Sequence, residues 1–387
     1  MKKQIVNAKI VLADGVLEKG VCLFEDGKIL YVGNEVQSAD QTIDAKGGYL
    51  MAGFIDIHCH GGNGDDFMDA TVEQFKNIAD FHLGFGTTTM LATTLSAPME
   101  ETEQSLKNYA EYKKNNPDGT LVGVHMEGPW FSAEECGAQK TDFFLPATAK
   151  HITELKQKYP FILRASAAPE VDKDYEFGRA CKQLGVIASP AHTGATFEQI
   201  EQAKDNGYSL MTHLYSGMKG VFRKNAYRTA GAVEAGLFFD ELYVEIIADG
   251  RHLPPSLLKF IYKCKGADKI CLITDGTRAS GYPDGKESFT GSVKNGAPCI
   301  VENGVAFLPD RQSFAGSVAT TDRLVRTMHF EAGIDLPSVS VMASKTPAKV
   351  LGLTDRGEIK QGLRADLVIL DEKLNVNQVF LNGNAVK

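Results

Sequence analysis

The feature that most constrains the fold is a series of short apolar segments that alternate with amphipathic helical patterns through the middle of the chain. Eight such segments begin near Phe54, Thr87, Leu121, Phe161, Val186, Tyr208, Leu242 and Lys269, at intervals of 22 to 40 residues. Two of the intervening helices carry capping-box spacing, Thr71 with Gln74 and Thr196 with Gln199. Eight β-α units predict a parallel (β/α)8 TIM barrel, with the eighth helix within residues 317–333.

The two ends of the chain show a different pattern, that of short strands joined by tight turns. Asp14-Gly15, Asp26-Gly27 and Asn382-Gly383 are residue pairs typical of hairpin turns. We therefore expect an α/β protein in which residues 1–52 and 350–387 together form a small β-sandwich domain. Residues 53–349 would form the barrel, and the stretch 276–312, rich in Gly and Pro, an irregular or hairpin insertion over its mouth.

Candidate ligands and proton carriers lie where the predicted strands end. Six of the nine histidines are at or near such ends, and the other three fall in helical stretches. In chain order the residues are His58, His60, His125, Glu127, His192, His213, Asp249, His252 and Asp275. Barrels of this type carry their chemistry at the carboxyl ends of the strands, so we expect these side chains to face one another.

The residue types indicate a divalent metal site. In FIDIHCH, His58 and His60 are two positions apart and point to the same side of a strand, whereas Cys59 points to the other side, into the core. Imidazoles and carboxylates are ligands of zinc and similar ions, and such an ion with an open position activates water at neutral pH. Asp275 is the residue that we expect to take and return the proton.

Several of these residues also have a purely structural interpretation. His192 and His213 could be histidines held by local hydrogen bonds, and Glu127 could cap the turn that follows it. His125 is better explained as support for the ligands, or as core packing, than as a ligand. Asp249 could cap a turn, and it is assigned no catalytic role.

Charge and composition argue against several classes of partner. The formal net charge of −8 disfavours general binding to nucleic acid or to anionic membranes, and no apolar stretch approaches the ~18 residues of a membrane span. The N-terminal residues reach Asp14 before any long apolar run, so no signal peptide is predicted. Seven cysteines without framework spacing fit free thiols in a reducing cytoplasm.

Nine motifs, from residue 52 to about 371, make the chain similar to one known family. They are AGFIDIHCHGG, HMEGPW, PAHTGAT, THLYSGM, IADGRH, LITDG, FAGSVAT, ASKTPAKVLGL and GLRADLVILD. In these motifs the chain resembles the N-acetylglucosamine-6-phosphate deacetylase family of the amidohydrolase superfamily. HMEGPW is quite specific for this branch because it supplies a glutamate from the third strand. The fourth strand, FILRASAAPE, lacks the lysine with which many other members bridge two metals.

The resemblance implies a catalytic and metal-binding role for matching residues. One divalent metal would be bound by Glu127, His192 and His213, and a second by His58 and His60. The number of ions, one or two, stays open, and zinc or iron is expected. Asp275 would act as general base and then as general acid.

The resemblance also implies how the substrate is held. The phosphate would meet His252 and an arginine, assigned to Arg228 because Gly231 matches the glycine that follows it in the family. Arg223 is the competing assignment. Further contacts would come from Ala138, Gln139, Ser216, Gly217, Phe314, Ala315, Gly316 and Ser317. A homodimer is implied, perhaps with the arginine reaching across to the second copy.

Three departures from the family pattern surround the expected substrate. Gln139 stands where the family has a histidine that polarises the amide carbonyl, Ser216-Gly217 replaces Asn-Ala, and Gly276-Thr277 replaces Ala-Met.

The expected function is removal of the N-acetyl group from an N-acetylhexosamine 6-phosphate, with N-acetylglucosamine 6-phosphate favoured. Alternatives are N-acetylgalactosamine 6-phosphate, another N-acyl amino sugar or, less favoured, a barrel scaffold without activity.

Overall fold

The computed structural model describes residues 1–387 as 23 strands and ten α-helices. The strands are β1 (Lys3–Leu12), β2 (Gly15–Glu25), β3 (Lys28–Gly33), β4 (Gln41–Asp44), β5 (Tyr49–Ala52), β6 (Phe54–Cys59), β7 (Gly61–Gly62), β8 (Asp65–Asp66), β9 (Thr87–Thr93), β10 (Leu121–Trp130), β11 (Ile162–Ala167), β12 (Ile187–Pro190), β13 (Leu210–Met211), β14 (Phe222–Lys224), β15 (Tyr227–Thr229), β16 (Tyr243–Ile246), β17 (Ile270–Leu272), β18 (Glu287–Thr290), β19 (Ala297–Glu302), β20 (Val305–Phe307), β21 (Leu367–Leu370), β22 (Val376–Leu381) and β23 (Asn384–Ala385).

The α-helices are α1 (Val72–Leu83), α2 (Met99–Asn115), α3 (Ala149–Lys158), α4 (Glu176–Gln183), α5 (Phe197–Asp205), α6 (Ala232–Phe238), α7 (Pro255–Lys265), α8 (Thr321–Arg326), α9 (Leu336–Ser340) and α10 (Thr346–Val350). Two π-helical segments (Thr327–Glu331, Val341–Lys345) and five 3₁₀ turns (Ala133–Glu135, Thr141–Phe143, Pro169–Val171, Lys173–Tyr175, Ala267–Lys269) complete the set. None of these helices combines the length and the apolar character that crossing a bilayer requires.

The eight central strands that the sequence predicted are all present and run parallel. Five of them form one sheet in the order β6-β9-β10-β11-β12, and three form a second in the order β13-β16-β17. Parallel bridges join the two sheets at both sides, between Ala188 and Tyr208 and between Cys59 and Gly276. The strands therefore follow one another in space in their chain order, which brings their carboxyl ends to one side of the molecule.

Local sequence explains where the helices between these strands begin. The capping boxes predicted at Thr71 with Gln74 and at Thr196 with Gln199 are both formed, each satisfying backbone N–H groups that a helix start leaves free. Along α1 the buried positions recur at helical spacing, so one face packs inward while the other meets solvent. The predicted eighth helix is α8, which continues directly into a π-helical segment.

The two chain ends form one eight-stranded sheet in the order β23-β22-β21-β5-β1-β2-β3, with β4 beside β1. The strands belong to one continuous hydrogen-bonded sheet, instead of the two separate sheets that a sandwich implies. The ten-residue β1 explains this, because two register shifts divide it. Its first part pairs with β4 and its second part with β5. The sheet has its own core, in which Phe24 packs edge-on against Phe380.

The insertion predicted within residues 276–312 contains the antiparallel sheet β18-β19-β20, which we call the flap. Its loop is fastened to the segment after β6 largely through backbone groups. Gly291 donates its N–H to Asp66 (3.0 Å), and Val293 donates its N–H to Asp69 (2.8 Å). Arg278 bonds both Asp69 (2.6 Å) and the carbonyl of Gly291 (3.1 Å). The flap is therefore held over the carboxyl ends of the first strands.

Candidate active site

The predicted ligands come together at the carboxyl ends of the parallel strands. His58 lies in β6 and His60 directly after it, Glu127 lies in β10, and the remaining three residues, His192, His213 and Asp275, follow β12, β13 and β17. All six are buried. Residues 58 and 275 are far apart in the chain but lie close together in space, because the carboxyl ends of the parallel strands are on one side of the molecule.

Glu127 is the centre of this cluster. Its Oε1 lies 2.9 Å from His213 Nε2, 3.4 Å from His192 Nε2 and 3.4 Å from His58 Nε2. Its second oxygen lies 3.3 Å from His60 Nε2. One carboxylate therefore faces four imidazole nitrogens.

Asp275 forms the second carboxylate of the cluster. Its Oδ1 lies 3.2 Å from His60 Nε2 and 3.4 Å from His58 Nε2. The donor groups that are mutually close are His58, Glu127 and His213, and His58, His60 and Asp275. This grouping differs from the expected one, because His58 lies between both carboxylates instead of belonging to a separate pair with His60.

Hydrogen bonds on the far side of two imidazoles set their tautomers. His58 Nδ1 lies 3.2 Å from Glu245 Oε2, and His192 Nδ1 lies 3.0 Å from the backbone carbonyl of Glu135. Both partners accept a proton, so both Nδ1 atoms donate one, and in the neutral rings the Nε2 lone pairs face Glu127. Lone pairs facing a carboxylate repel it unless a cation lies between them. The donor set therefore fits a divalent metal.

The charges of the cluster show that its two carboxylates need a neighbouring cation, which is either a protonated imidazole or a metal ion. Burial alone would lower the pKa of His58, but Glu127 and Glu245 raise it to about 9. Burial likewise opposes ionisation of Glu127, yet His58, His192 and His213 hold its pKa well below the usual range. The pKa of Asp275 is also lowered, against the effect of burial, by His60 and His58. The carboxylates thus stay ionised, and the positive charge beside them must come from protonated imidazoles or from a metal ion.

Three of the clustered residues have left-handed backbone conformations. His192 has φ 43°, His213 has φ 24° and Asp275 has φ 48°. Non-glycine residues adopt such angles rarely and at a cost, and they concentrate at functional sites. Each angle turns a side chain inward at the point where its strand ends.

A network of buried polar groups lies beneath the cluster. Arg164 on β11 is fully buried and bonds both carboxylate oxygens of Glu245 on β16, and it also donates to Thr212 (2.8 Å). His125 packs edge-on against the His58 ring, 4.6 Å between centroids, and bonds Ser166 (2.7 Å). His125 therefore supports a ligand from behind, one of the two roles that the sequence favoured for it.

A pocket of about 310 Å³ opens above the cluster. Eight residues expected to contact substrate line it, namely Ala138, Gln139, Ser216, Gly217, His252, Phe314, Ala315 and Gly316. His252 donates from Nδ1 to Asp249 (2.8 Å), which leaves its Nε2 for a ligand, and Phe314 packs on its ring at 4.6 Å. Asp249 thus orients His252, beyond the turn-capping role that the sequence suggested.

Gln139 interacts mainly with the cluster itself. Its amide nitrogen donates to Glu127 Oε2 at 2.8 Å, and its amide oxygen accepts from the backbone N–H of Ser96 at 3.0 Å. These two bonds fix the amide orientation and help hold Glu127 in place. One N–H of the amide remains for a ligand.

Two expected contacts lie elsewhere. Ser317 is fully buried outside the lining, and its hydroxyl accepts from the backbone N–H of Ala319 (2.8 Å). Arg228 is exposed on the hairpin β14-β15, directly opposite Arg223, and neither lines the pocket. Most side chains of this hairpin are exposed to solvent.

The sequence pattern of the amidohydrolase family matches residues 49–386. The chain belongs to the amidohydrolase family. It is 32% identical over 386 residues to an N-acetylglucosamine-6-phosphate deacetylase of Lysinibacillus sphaericus, with 98% of this chain and 96% of that one covered. It is also 32% identical over 337 residues to an N-acetylgalactosamine-6-phosphate deacetylase of Escherichia coli O157:H7, with 86% of each chain covered.

Solved structures agree with this membership. The crystal structure of N-acetylglucosamine-6-phosphate deacetylase from Thermotoga maritima superposes with a TM-score of 0.87 at 32% identity, over 99% of each chain. The amidohydrolase family members that match support an α/β, TIM-barrel-like fold with a second domain. The resemblance drawn from the nine motifs is therefore confirmed.

Several groups of this amidohydrolase site escaped sequence reasoning. Besides Thr277, which the sequence had placed near the substrate, the pocket is also lined by Leu95, Gly137, Tyr215, Thr290, Gly291 and Ser313. Thr290 and Gly291 belong to the flap, and nothing in the sequence of the flap shows that it lies next to the site in the folded protein. Glu245 was also missed, although LYVEII places a single charge in an apolar strand. A charge in such a strand is buried only when it is paired, which is the signal that would have identified it.

Proposed function

We propose that the chain is a metal-dependent deacetylase that hydrolyses the N-acetyl group of an N-acetylhexosamine 6-phosphate, with N-acetylglucosamine 6-phosphate favoured. The observation that carries this proposal is the buried cluster of four histidines, Glu127 and Asp275 at the floor of a pocket that fits a small ligand. Membership of the amidohydrolase family and relatives named for this reaction support it. The products are the amino sugar phosphate and acetate.

We assign the metal-binding role to His58, His60, Glu127, His192 and His213. A divalent ion held there, zinc or iron, supplies a Lewis acid that lowers the pKa of water and polarises the amide carbonyl. The number of ions and the division of the ligands between them form part of the proposal. Gln139 keeps Glu127 in position, and Glu245 does the same for His58.

We assign proton transfer to Asp275. Its carboxylate faces the pocket floor and is held ionised by the neighbouring imidazoles, so at neutral pH it can accept a proton from water. The same oxygen can then return that proton to the departing amine nitrogen. A carboxylate in this position thus serves as base and as acid within one turnover.

We propose that the sugar phosphate binds along the wall that carries His252. The lining of the pocket contains no Arg or Lys, so His252 is its only cationic candidate outside the metal cluster. A phosphate dianion needs more positive charge than one imidazole provides. We therefore propose a homodimer in which Arg228 of a second copy completes the phosphate site, with Arg223 opposite it on the same hairpin as the competing residue.

We further propose that the eight parallel strands close into a complete barrel. The bridges on both sides of the two sheets support this closure.

We divide the chain into a barrel domain of residues 53–349 and a second domain of residues 1–52 and 350–387, a division supported by the eight-stranded terminal sheet. A cytoplasmic location stays a prediction from the sequence.

N-acetylgalactosamine 6-phosphate is the second candidate substrate, because a relative that matches at 32% identity is named for it. The test is a comparison of kcat/KM for both phosphorylated epimers and for unphosphorylated N-acetylglucosamine, with enzyme loaded with zinc or with iron. The proposal expects acetate release that depends on both the metal and the phosphate. Protein that binds metal but releases no acetate from any of the three sugars would contradict it.

A further inference from the structure

A second cleft, of about 660 Å³, adjoins the loop that carries His252 and shares no lining residue with the pocket above the cluster. Three arginines line it, Arg251 next to His252 in the chain and Arg323 and Arg326 on α8, together with the turn between β19 and β20 of the flap. Its volume is that of ordinary small-molecule sites. The proposed reaction gives this cleft no role.

Two of the three guanidinium groups keep N–H groups that the protein does not use. Arg251 is exposed and bonds only through Nε, to the carbonyl of Asn303 (2.8 Å), so both of its Nη atoms are free. Arg323 is half-buried and bonds through its two Nη atoms, so its Nε is free. Arg326 is already paired with Asp322 (2.6 Å). Free N–H groups of guanidiniums are well suited to bind phosphate oxygens.

Three carboxylates line the same cleft, and two of them are already used within the protein. Asp249 accepts from two backbone N–H groups and from His252, and Asp284 accepts from the two N–H groups of the flap turn (3.1 and 2.9 Å). Glu331 is exposed, and no N–H or O–H group of the protein bonds its carboxylate. The cleft thus offers free guanidinium N–H groups for a phosphate and a free acceptor for hydroxyl groups.

The same arginines link the flap to the loop that carries His252. Arg323 donates to the carbonyl of Gly304 in the flap turn and to the carbonyl of Asp249, both at 2.8 Å. The carboxylate of Asp249 in turn accepts from His252 Nδ1 (2.8 Å). A ligand that fixes Arg323 therefore also restrains the residue that orients His252.

We propose that this cleft is a regulatory site for a phosphate ester, either a sugar phosphate or a nucleoside diphosphate, bound by Arg251 and Arg323. Both ligand classes carry a phosphoryl group and sugar hydroxyls. Phe330, which is 54% exposed and lines the cleft, adds a ring surface on which a nucleoside base can stack. The ligand binds best when Arg323 holds both carbonyls, so its binding favours the arrangement that orients His252. This regulation acts on the phosphate contact assigned to His252 and so rests on the proposed function, whereas the binding itself does not.

Calorimetry of the metal-loaded enzyme with glucose 6-phosphate and with adenosine diphosphate tests the site, and the tighter ligand identifies the class. We expect Arg251→Gln to weaken binding about tenfold or more, the loss of charge-assisted hydrogen bonds. The matched control Arg179→Gln, an exposed arginine on α4 that bonds Asn206 (2.7 Å), should bind as the wild type does. His252→Gln should also keep this binding, because His252 lines the other pocket. No binding of either ligand, or binding lost in His252→Gln and kept in Arg251→Gln, would overturn the inference.

A second titration tests the link to His252. With the cleft saturated by the tighter ligand, the dissociation constant of N-acetylglucosamine 6-phosphate for metal-loaded Asp275→Asn should fall about fivefold, a coupling at the lower end of the usual range. Adding Arg251→Gln should abolish this change. An unchanged constant, or one raised by competition for the same pocket, would overturn the regulatory role. If the wild-type enzyme releases no acetate from any of the sugars, the proposed function fails and the regulation with it, while the first titration still decides whether the cleft binds a phosphate ester.

Discussion

Glu245 Oε2 lies 3.2 Å from His58 Nδ1, and the same carboxylate is bonded on its other side by the fully buried Arg164. His58, which we propose as a metal ligand, is thus fixed from behind by an ion pair that joins β11 and β16. The pair compensates its own charge and sets the tautomer of the imidazole. Stability and metal affinity are therefore coupled at this one carboxylate, and they can be separated by mutation.

Glu245→Gln should weaken both properties. The change leaves Arg164 buried without its counter-ion, which costs about 3–5 kcal/mol in the free energy of unfolding. It also replaces the charged acceptor of the His58 Nδ1 proton by a neutral amide that has only one acceptor oxygen, so metal affinity should fall about 10–100-fold. Urea unfolding of the metal-free protein and competition titration with a chelating dye measure the two effects.

The double variant Arg164→Met/Glu245→Leu provides the control. Replacing both charges by apolar groups should recover more than half of the lost stability, because no buried charge is left alone. Metal affinity should stay low because leucine offers His58 no acceptor at all. If the double variant recovered metal affinity together with stability, Glu245 would have no positioning role.

Asp275→Asn should reduce kcat by about 10²–10⁴-fold, the usual contribution of a general acid–base group. The amide cannot accept the proton from water, while the ligands of the metal are unchanged. Metal content by mass spectrometry should therefore stay near that of the wild type. Asp268→Asn, an exposed aspartate at the other end of β17, is the matched control and should retain full activity. An active Asp275→Asn enzyme would refute the assignment.

His192→Ala should lower metal affinity by more than about 100-fold, beyond what loss of a supporting group costs. The imidazole lies 3.4 Å from Glu127, and its Nδ1 bond to the Glu135 carbonyl shows that Nε2 carries the free lone pair. The protein should still fold, as judged by circular dichroism. His329→Ala, a half-buried histidine outside the cluster, should keep its metal. Equal metal content in both variants would exclude His192 as a ligand.

His82 should make the stability of the protein depend on pH. Burial lowers the pKa of His82 to about 4, from an ordinary value of 6.5, and its Nε2 donates to the carbonyl of Gly61 (2.9 Å). Between pH 6.5 and about pH 4, His82 is protonated in the unfolded chain but neutral in the folded protein. Stability should therefore be lost as the pH falls through this window, by about 3 kcal/mol in total.

The comparison variant is His82→Gln, which keeps an N–H donor and cannot titrate. The difference in unfolding free energy between wild type and variant should shrink by about that amount between pH 7 and pH 4, whatever other groups contribute. Parallel pH profiles for the two proteins would show that His82 is not responsible.

Arg228→Ala should raise KM for the phosphorylated sugar about tenfold or more, the loss of a charge-assisted contact, with little effect on the unphosphorylated sugar. Arg223→Ala is the matched comparison, since it lies opposite on the same hairpin. If the arginine acts across a dimer, catalytically dead Asp275→Asn mixed with Arg228→Ala should recover phosphate-dependent activity in the hybrid. No recovery on mixing would argue for a contact within one chain, and an unchanged KM in Arg228→Ala would remove it from the phosphate site.

The positions of the eight parallel strands and of the clustered histidines and carboxylates could be predicted because their signals are local. A strand-ending His, Glu or Asp followed by glycine or a turn is visible in a few residues, and the strand order then places them together. The division of His58 between Glu127 and Asp275 could not be predicted in this way, because it depends on the angle at which neighbouring strands meet.

The groups that were missed depend on contacts between distant segments. Thr290 reaches the pocket because Asp66, 224 positions earlier, and Asp69 hold the flap loop in place through Gly291 and Val293. The family resemblance implied a backbone contact from Ser317 to the substrate, but the residue lies outside the pocket lining and its hydroxyl accepts from Ala319 N–H. Periodicity and motifs specify which segment approaches a site, but the direction of each side chain within the segment follows from three-dimensional packing.

The manner in which the flap is fastened bears on how such a site can diversify. Asp66 and Asp69 accept hydrogen bonds from the peptide N–H groups of Gly291 and Val293, so the fastening does not depend on side chains of the loop. Mutations at Thr290 can therefore alter the lining of the pocket without loosening the loop. Descendants of this chain can exchange one lining residue of the flap and so change the shape of the pocket, while the histidines and carboxylates beneath are inherited intact.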